Sequence, residues 1–207
     1  MVIDLQRCVL CRACTISCKQ ENKTPPGKSY NPVLEEEVGE YPQVRRQWFP
    51  RPCMHCANPA CLKACPNHAI KKRPDGIVYI DPELCEGAKA CIDACPYKVP
   101  VFDEGEVYHE GQSAWSEVAS PELGLMYKPG DRNWEEKARK CTFCLHKQDE
   151  NGEYADLPAC AKTCMGRAIR FGDLDDPDGE LQQLLKTRKW MRLKEEAGTE
   201  PNVYYLV

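Results

Sequence analysis

Cys8-Val9-Leu10-Cys11-Arg12-Ala13-Cys14-Thr15-Ile16-Ser17-Cys18 decides the reading of this chain. A C-x2-C-x2-C-x3-C run is the spacing that wraps a backbone around an iron–sulfur cube, with the fourth cysteine crossing to a partner cluster. The same frame returns 77 residues later. Ile3-Asp4 stands ahead of Cys8 and Ile80-Asp81 ahead of Cys85, and Cys91 and Cys95 answer Cys14 and Cys18. Ala88 stands where Cys11 places a sulfur. Electron transfer is the expected trade, with one cluster unlike the others.

Two further sets occur, Cys53-Cys56-Cys61-Cys65 and Cys141-Cys144-Cys160-Cys164. They are related, since Cys61-x3-Cys65-x3-Ala69-Ile70 matches Cys160-x3-Cys164-x3-Ala168-Ile169. Four complete quartets need one cysteine more than the 15 present, and Ala88 accounts for it. A disulfide framework suits shorter chains and would leave an odd thiol. Zinc knuckles bring close pairs rather than runs of three plus a fourth. Pro66 and Pro96, directly after Cys65 and Cys95, are a further mark of the ferredoxin-type run.

Leu, Ile, Val and Phe make up only 38 of 207 residues, below the level at which chains normally build a good core. The net charge of −4 is too small to enforce disorder. Inorganic clusters are therefore expected to supply the missing core, coupling folding to their insertion. No stretch approaches the ~18 to 20 consecutive apolar residues of a membrane span. No signal peptide is visible, the chain opening Met1-Val2-Ile3-Asp4 already on the first repeat. The basic runs Arg45-Arg46, Lys71-Lys72-Arg73 and Arg188-Lys189 are short and balanced by acidic ones such as Glu35-Glu36-Glu37. They read as solvated surface, with no nucleic acid implied.

Ala69–Lys72, a Pro74-Asp75-Gly76 turn and Ile77-Val78-Tyr79-Ile80 predict a β-hairpin. Residues 91–95 predict a short helix with its cysteines inward, stopped by Pro96. A C-terminal helix is expected from Asp178-Gly179, with Leu181, Leu184 and Leu185 on one face and Gly198 and Pro201 ending it. Residues 203–207 close the chain as a short strand or docking tail. His55 and His146 lie near cysteines whose quartets are already complete, so packing or a sulfur hydrogen bond is expected rather than ligation. His68 and His109 carry no constellation, and Trp48, Trp115, Trp134 and Trp190 read as core or interface residues.

The four motifs, their order, the long spacer in the last and the stretch Gly172-Asp173-Leu174-Asp175-Asp176-Pro177 resemble the four-cluster electron-transfer subunit of the dimethyl sulfoxide reductase family of molybdopterin oxidoreductases. The resemblance covers almost the whole chain. It implies an α+β fold of two bacterial ferredoxin-like modules with the chain interleaved between them. The outer module would comprise 1–30 with 139–172 and the inner one 51–101. Residues 31–50 and 102–138 would be insertions, and 173–207 a docking helix and tail.

The resemblance also implies the ligand sets. Cys8, Cys11, Cys14 and Cys164 would hold one cluster, and Cys141, Cys144, Cys160 and Cys18 its module partner. Cys53, Cys56, Cys61 and Cys95 would hold a third. Cys85, Cys91 and Cys65 would hold the fourth, expected as 3Fe-4S beside Ala88, with the other three 4Fe-4S. A 4Fe-4S cluster with water or a carboxylate such as Glu86 on the fourth iron is the alternative. A non-catalytic subunit is implied, carrying electrons between a molybdenum- or tungsten-pterin catalytic subunit and a quinone-linked membrane subunit or cytochrome. The competing reading is a polyferredoxin-like subunit of a cytoplasmic hydrogenase or formate dehydrogenase complex. Export to the outer face of the cytoplasmic membrane, alongside a signal-bearing partner, is the expected location, with the cytoplasm the alternative.

Overall fold

The computed structural model describes residues 1–105 and 134–207. His109, Trp115 and most of the 102–138 insertion lie outside the described residues. The fold is mixed α/β, made of short strands and helices of four to ten residues. Its main sheet runs β8 (Ile169–Arg170), β1 (Val2–Asp4), β10 (Tyr204–Leu206) and β9 (Trp190–Met191), with β1 and β10 parallel and the outer pairings antiparallel. Val2, Ile3, Val203, Tyr205 and Leu206 are fully buried there. The end of the chain is thus the strand alternative, and it occupies the middle of the sheet.

The two copies of the Ile-Asp frame are built alike. In one, Ile3 of β1 faces Ile169 of β8, and Asp4 N–H donates to the Ala168 carbonyl at 2.8 Å. In the other, Ile80 of β5 (Val78–Ile80) faces Ile70 of β4 (Ile70–Lys72), and Asp81 N–H donates to the Ala69 carbonyl at 2.7 Å. The predicted hairpin is present, closed by Gly76 N–H to the Arg73 carbonyl. Two helices accompany each copy. α1 (Ala13–Asn22) packs on α4 (Ala159–Lys162), and α2 (Ala60–Ala64) packs on α3 (Ala90–Ala94). The helix expected over 91–95 is α3, one residue earlier at each end.

Two stretches read as irregular have definite structure. Residues 31–50 contain the antiparallel hairpin β2 (Val33–Val38) and β3 (Arg45–Pro50). The 102–138 insertion is rooted on the antiparallel pair β6 (Val101–Asp103) and β7 (Lys137–Arg139). A buried ion pair locks that root: Arg139 Nη1 meets Asp103 Oδ2 at 2.8 Å, while Nε donates to Tyr30 Oη and Nη2 to the Asn22 carbonyl. Full hydrogen bonding of the guanidinium is what makes its burial tolerable.

The C-terminal helix is shorter than its sequence predicts. α5 (Glu180–Thr187) starts after Gly179 but stops at Arg188, which is extended, rather than running towards Gly198. Trp190 and Met191 leave the helix to pair with Leu206 and Tyr205, so the ladder wins over local helix preference. Leu181 alone of its apolar face is fully buried, against Val2 and Leu206. Beyond it, residues 198–202 lace the second cysteine motif: Ala57 and Asn58 N–H donate to the Glu200 and Thr199 carbonyls, and Asn202 bonds Met54 and His55.

Candidate metal centre

All fifteen cysteines are free. The helices decide which sulfurs meet. α1 carries Cys14 and Cys18, while Cys61–Cys65, Cys91–Cys95 and Cys160–Cys164 lie on or just beyond α2, α3 and α4. A separation of four residues is about 6 Å along a helix axis, so each helix offers its two sulfurs to two different neighbourhoods.

Four groups result. Burial first, then the nearby sulfurs of Cys8 and Cys164, push Cys14 up to about 11 despite a bond from Thr15. Cys18 is pushed well up by burial and then by Cys141, Cys160 and Cys144. Cys61 rises to about 12 through burial and the sulfurs of Cys53, Cys95 and Cys56, with Lys140 opposing. Cys91 rises to about 11 through burial, Cys85 and Cys65. The structure thus sets Cys14 near Cys8 and Cys164, Cys18 near Cys141, Cys144 and Cys160, Cys61 near Cys53, Cys56 and Cys95, and Cys91 near Cys65 and Cys85. Thiols crowded and desolvated in this way hold their protons until cations arrive, so metal uptake must release protons.

The sulfurs line hollows. Cys8, Cys11, Cys14 and Cys164 border one with about 350 Å³ of empty space up to its open mouth. Cys65, Cys85, Cys91 and Ala88 border another of about 320 Å³. The Ala88 hollow is similar in extent to the one with a full set of four sulfurs. Among the described residues, no three His, Cys, Asp or Glu side chains converge on a single ion. Sulfurs set around a hollow suit a cluster in which each binds a different iron.

Backbone geometry supports negative sulfur. The residue two after the first cysteine of every motif is left-handed: Leu10, His55, Gly87 and Phe143 have φ of 59°, 42°, 73° and 56°. Right- and left-handed residues in alternation curl successive N–H groups towards one concave face, the geometry of many anion and iron–sulfur sites. Ala69 N–H donates to Cys65 Sγ at 3.3 Å, and its counterpart Ala168 N–H to Cys164 Sγ at 3.2 Å. Phe143 N–H reaches Cys141 Sγ, and Asn22 Nδ2 reaches Cys18 Sγ at 3.3 Å. The donor set, the hollows and these bonds all fit iron–sulfur clusters.

The histidines behave as packing groups. His55 stacks on Phe143 with ring centroids 3.8 Å apart, and its Nδ1 accepts the Val78 N–H. Burial, with Lys140 nearby, holds it well below the usual range and therefore neutral. The proton then sits on Nε2, towards the Cys141 backbone but without a regular hydrogen bond. His146 Nε2 bonds Glu21, and His68 is exposed. Of the tryptophans, Trp134 is buried, and Trp190 is partly exposed against Tyr204. Trp48 does more than pack, donating to the Cys8 carbonyl at 3.0 Å. Arg12, which follows Cys11, is paired with Glu35, which also takes Arg46. The β2–β3 hairpin is thereby fastened over the first motif, a link that no spacing in the sequence marks.

Comparison with known proteins agrees with this geometry. A 4Fe-4S dicluster domain model matches residues 44–111. A selenate reductase subunit of Mesobacillus selenatarsenatis is 46% identical over all of this chain and 70% of its own length. The arsenate respiratory reductase iron–sulfur subunit of Shewanella sp. ANA-3 is 36% identical over all of this chain and 94% of its own length. A tetrathionate reductase subunit of Salmonella typhimurium is 36% identical over all of this chain and 71% of its own. The chain belongs to the iron–sulfur subunits of the dimethyl sulfoxide reductase family. Such a subunit transfers electrons within an oxidoreductase complex, is not itself the catalyst, and uses 4Fe-4S clusters. Its place in a reductase of several subunits implies a separate catalytic subunit as its partner. Among the described residues, no helix is long and apolar enough to cross a membrane.

Proposed function

We propose that this subunit is a four-cluster wire between a molybdenum- or tungsten-pterin catalytic subunit and a quinone-linked membrane subunit or cytochrome. In this reading, Cys8, Cys11, Cys14 and Cys164 hold the first 4Fe-4S cluster. Cys18, Cys141, Cys144 and Cys160 hold the second, and Cys53, Cys56, Cys61 and Cys95 the third. Cys65, Cys85 and Cys91 hold a fourth cluster of the 3Fe-4S type beside Ala88. The observation that carries the reading is the run of neighbouring sulfurs from Cys8, Cys14 and Cys164 through to Cys65, Cys85 and Cys91. Cys160 feels Cys14 across the first seam, Cys141 feels Cys53 across the second, and α2 and α3 bridge the last two groups. The doubled Ile-Asp hydrogen-bond frame supports two ferredoxin-like modules, the outer from 1–30 with 139–172 and the inner from 51–101.

Bound clusters supply one-electron redox chemistry, and the chain sets their spacing, hydrogen bonding and dryness. Cysteines one helical turn apart keep neighbouring groups close. N–H donors at Cys65, Cys141 and Cys164 stabilise negative sulfur and ease reduction. One thiolate fewer at Ala88 leaves less negative charge, which raises the potential there and suits exchange with quinones better than with very low-potential donors. The reading extends to co-export with a signal-bearing catalytic partner. Protease accessibility in spheroplasts tests that, and a fully protected subunit would place the complex in the cytoplasm.

The deciding experiment is electron paramagnetic resonance on the oxidised, anaerobically purified complex, with iron counted alongside. A near-stoichiometric three-iron signal is expected, and Ala88→Cys should abolish it. An oxidised sample that is silent yet holds iron for four complete cubes would show that another ligand fills the gap.

A further inference from the structure

Lys140 immediately precedes Cys141, and its side chain is almost wholly buried, 2% of the residue being exposed. Nζ donates to the Val78 carbonyl, to the Cys141 carbonyl at 3.0 Å and towards Cys53 Sγ at 3.6 Å. These contacts are two carbonyls and a sulfur, with no carboxylate among them. An ammonium buried in this way is unfavourable unless negative charge accompanies it. The negative charge within reach is sulfur from two groups. Nζ points at the Cys53 sulfur of the third group, and Lys140 is held against the second by its place next to Cys141 and its bond to that residue's carbonyl. At the seam between the first and second groups the crossing side chains are neutral hydroxyls, with Thr163 donating to Ser17 at 2.8 Å.

We propose that Lys140 is the shared counter-charge of the second and third clusters, raising both potentials. The inference rests on the proposed occupancy of those two groups. A cluster ligated by four thiolates is negatively charged and becomes more so on reduction, so a fixed cation in contact favours the reduced form of either neighbour. Lys140 is a positioning residue: it carries no electron itself but favours the reduced state on both sides of the step between the two modules.

The test is redox potentiometry followed by electron paramagnetic resonance on the intact complex, comparing Lys140→Met, Lys140→Gln and Lys140→Arg. Lys140→Met, with full iron content, should lower two of the four midpoint potentials. The expected size is at least a tenfold change in the reduction equilibrium, about 59 mV for one electron. The other two midpoints should stay in place, and Lys140→Arg should restore the pair. All four midpoints unchanged at full iron content would overturn the proposal. If Lys140→Met takes up too little iron to titrate, Lys140→Gln and Lys140→Arg decide. Lowered potentials in Lys140→Gln, or cluster loss that Lys140→Arg repairs, support the counter-charge. Full iron and unchanged midpoints in Lys140→Gln, or cluster loss that Lys140→Arg does not repair, refute it. A wild-type complex without iron in these groups would instead refute the cluster assignment itself.

Discussion

The first motif and its counterpart at 80–95 share a backbone and differ in a sulfur. Ile3 faces Ile169 as Ile80 faces Ile70, and Arg12 and Lys89 enter their helices with the same left-handed φ of 58°. The Ala88 hollow is close in size to the one that includes Cys11. The same backbone frame thus accompanies a motif with the fourth sulfur and one without it. What differs between the copies is one sulfur and, on the proposed reading, the cluster that it would complete.

If that is so, the gap is transferable. Cys11→Ala should give the first motif the three-sulfur pattern of its counterpart at 80–95. The complex is expected to keep its fold and to show a roughly two-fold larger three-iron signal when oxidised, with a second high-potential midpoint. Spin quantitation against total iron checks this. Loss of the whole cluster, with the Asp4–Ala168 strand contact melted, would mean that the first motif needs its fourth thiolate for folding and that the likeness of the copies is only geometric.

A smaller effect separates the copies at the left-handed position two after the first cysteine. Gly87 has φ of 73°, and a Cβ there would sit 2.3 Å from the Glu136 carbonyl oxygen. The chain returning from the 102–138 insertion passes directly over the gap-bearing loop. Leu10 holds the matching position at φ 59° with a full side chain. Gly87→Ala should cost about 1–3 kcal/mol, since the contact is with backbone that cannot rotate away. Leu10→Gly should change stability by less than about 1 kcal/mol, relief of left-handed strain offsetting lost order. Denaturation of the iron-loaded complex measures both. Equal costs would mean that strain at the cysteine loop, rather than the crossing strand, dominates.

The features legible in the sequence were those that local chemistry fixes. Cysteine spacing revealed the four motifs, Pro74-Asp75-Gly76 the β4–β5 turn, and Pro96 the end of α3. The features that depend on distant partners were not legible. Glu35-Glu36-Glu37 and Arg45-Arg46 looked like balanced solvated runs, yet they are opposite strands of a hairpin, with Glu35 fixed to Arg12 beside the first hollow. Arg188 ends α5 because Trp190 and Met191 are needed by β10, nearly all of whose other partners lie at the far end of the chain. Lys140 carries no mark in the sequence, because a lysine beside a cysteine gives no sign of burial. Only the seam between two groups, assembled from motifs 87 residues apart (Cys53 to Lys140), reveals its place.

The smallest expected difference lies in the paired aspartates. Asp4 Oδ1 accepts the Gln6 and Arg7 N–H groups, and Asp81 Oδ1 accepts the Glu83 N–H. Their second oxygens diverge: Asp4 Oδ2 is 3.4 Å from Arg188, while Asp81 Oδ2 takes Lys71 at 2.8 Å. Burial alone would raise the Asp81 carboxyl, but the Lys71 bond and the Glu83 N–H outweigh it and bring it below its ordinary value. A carboxyl whose folded pKa is depressed adds stability above its unfolded value of about 3.9, and loses it as pH falls through the folded value. The pair is largely solvent-screened, so Asp81→Asn should cost only about 0.5–1 kcal/mol at neutral pH. That cost should shrink once the pH drops below about 4. Lys71→Met should raise the Asp81 pKa and start the acid loss at higher pH. Melting temperatures of wild type and Asp81→Asn across that range read the difference directly. A gap that stays constant with pH would assign Asp81's contribution to its neutral hydrogen bonds, making the second motif's turn less dependent on charge than its lysine partner implies.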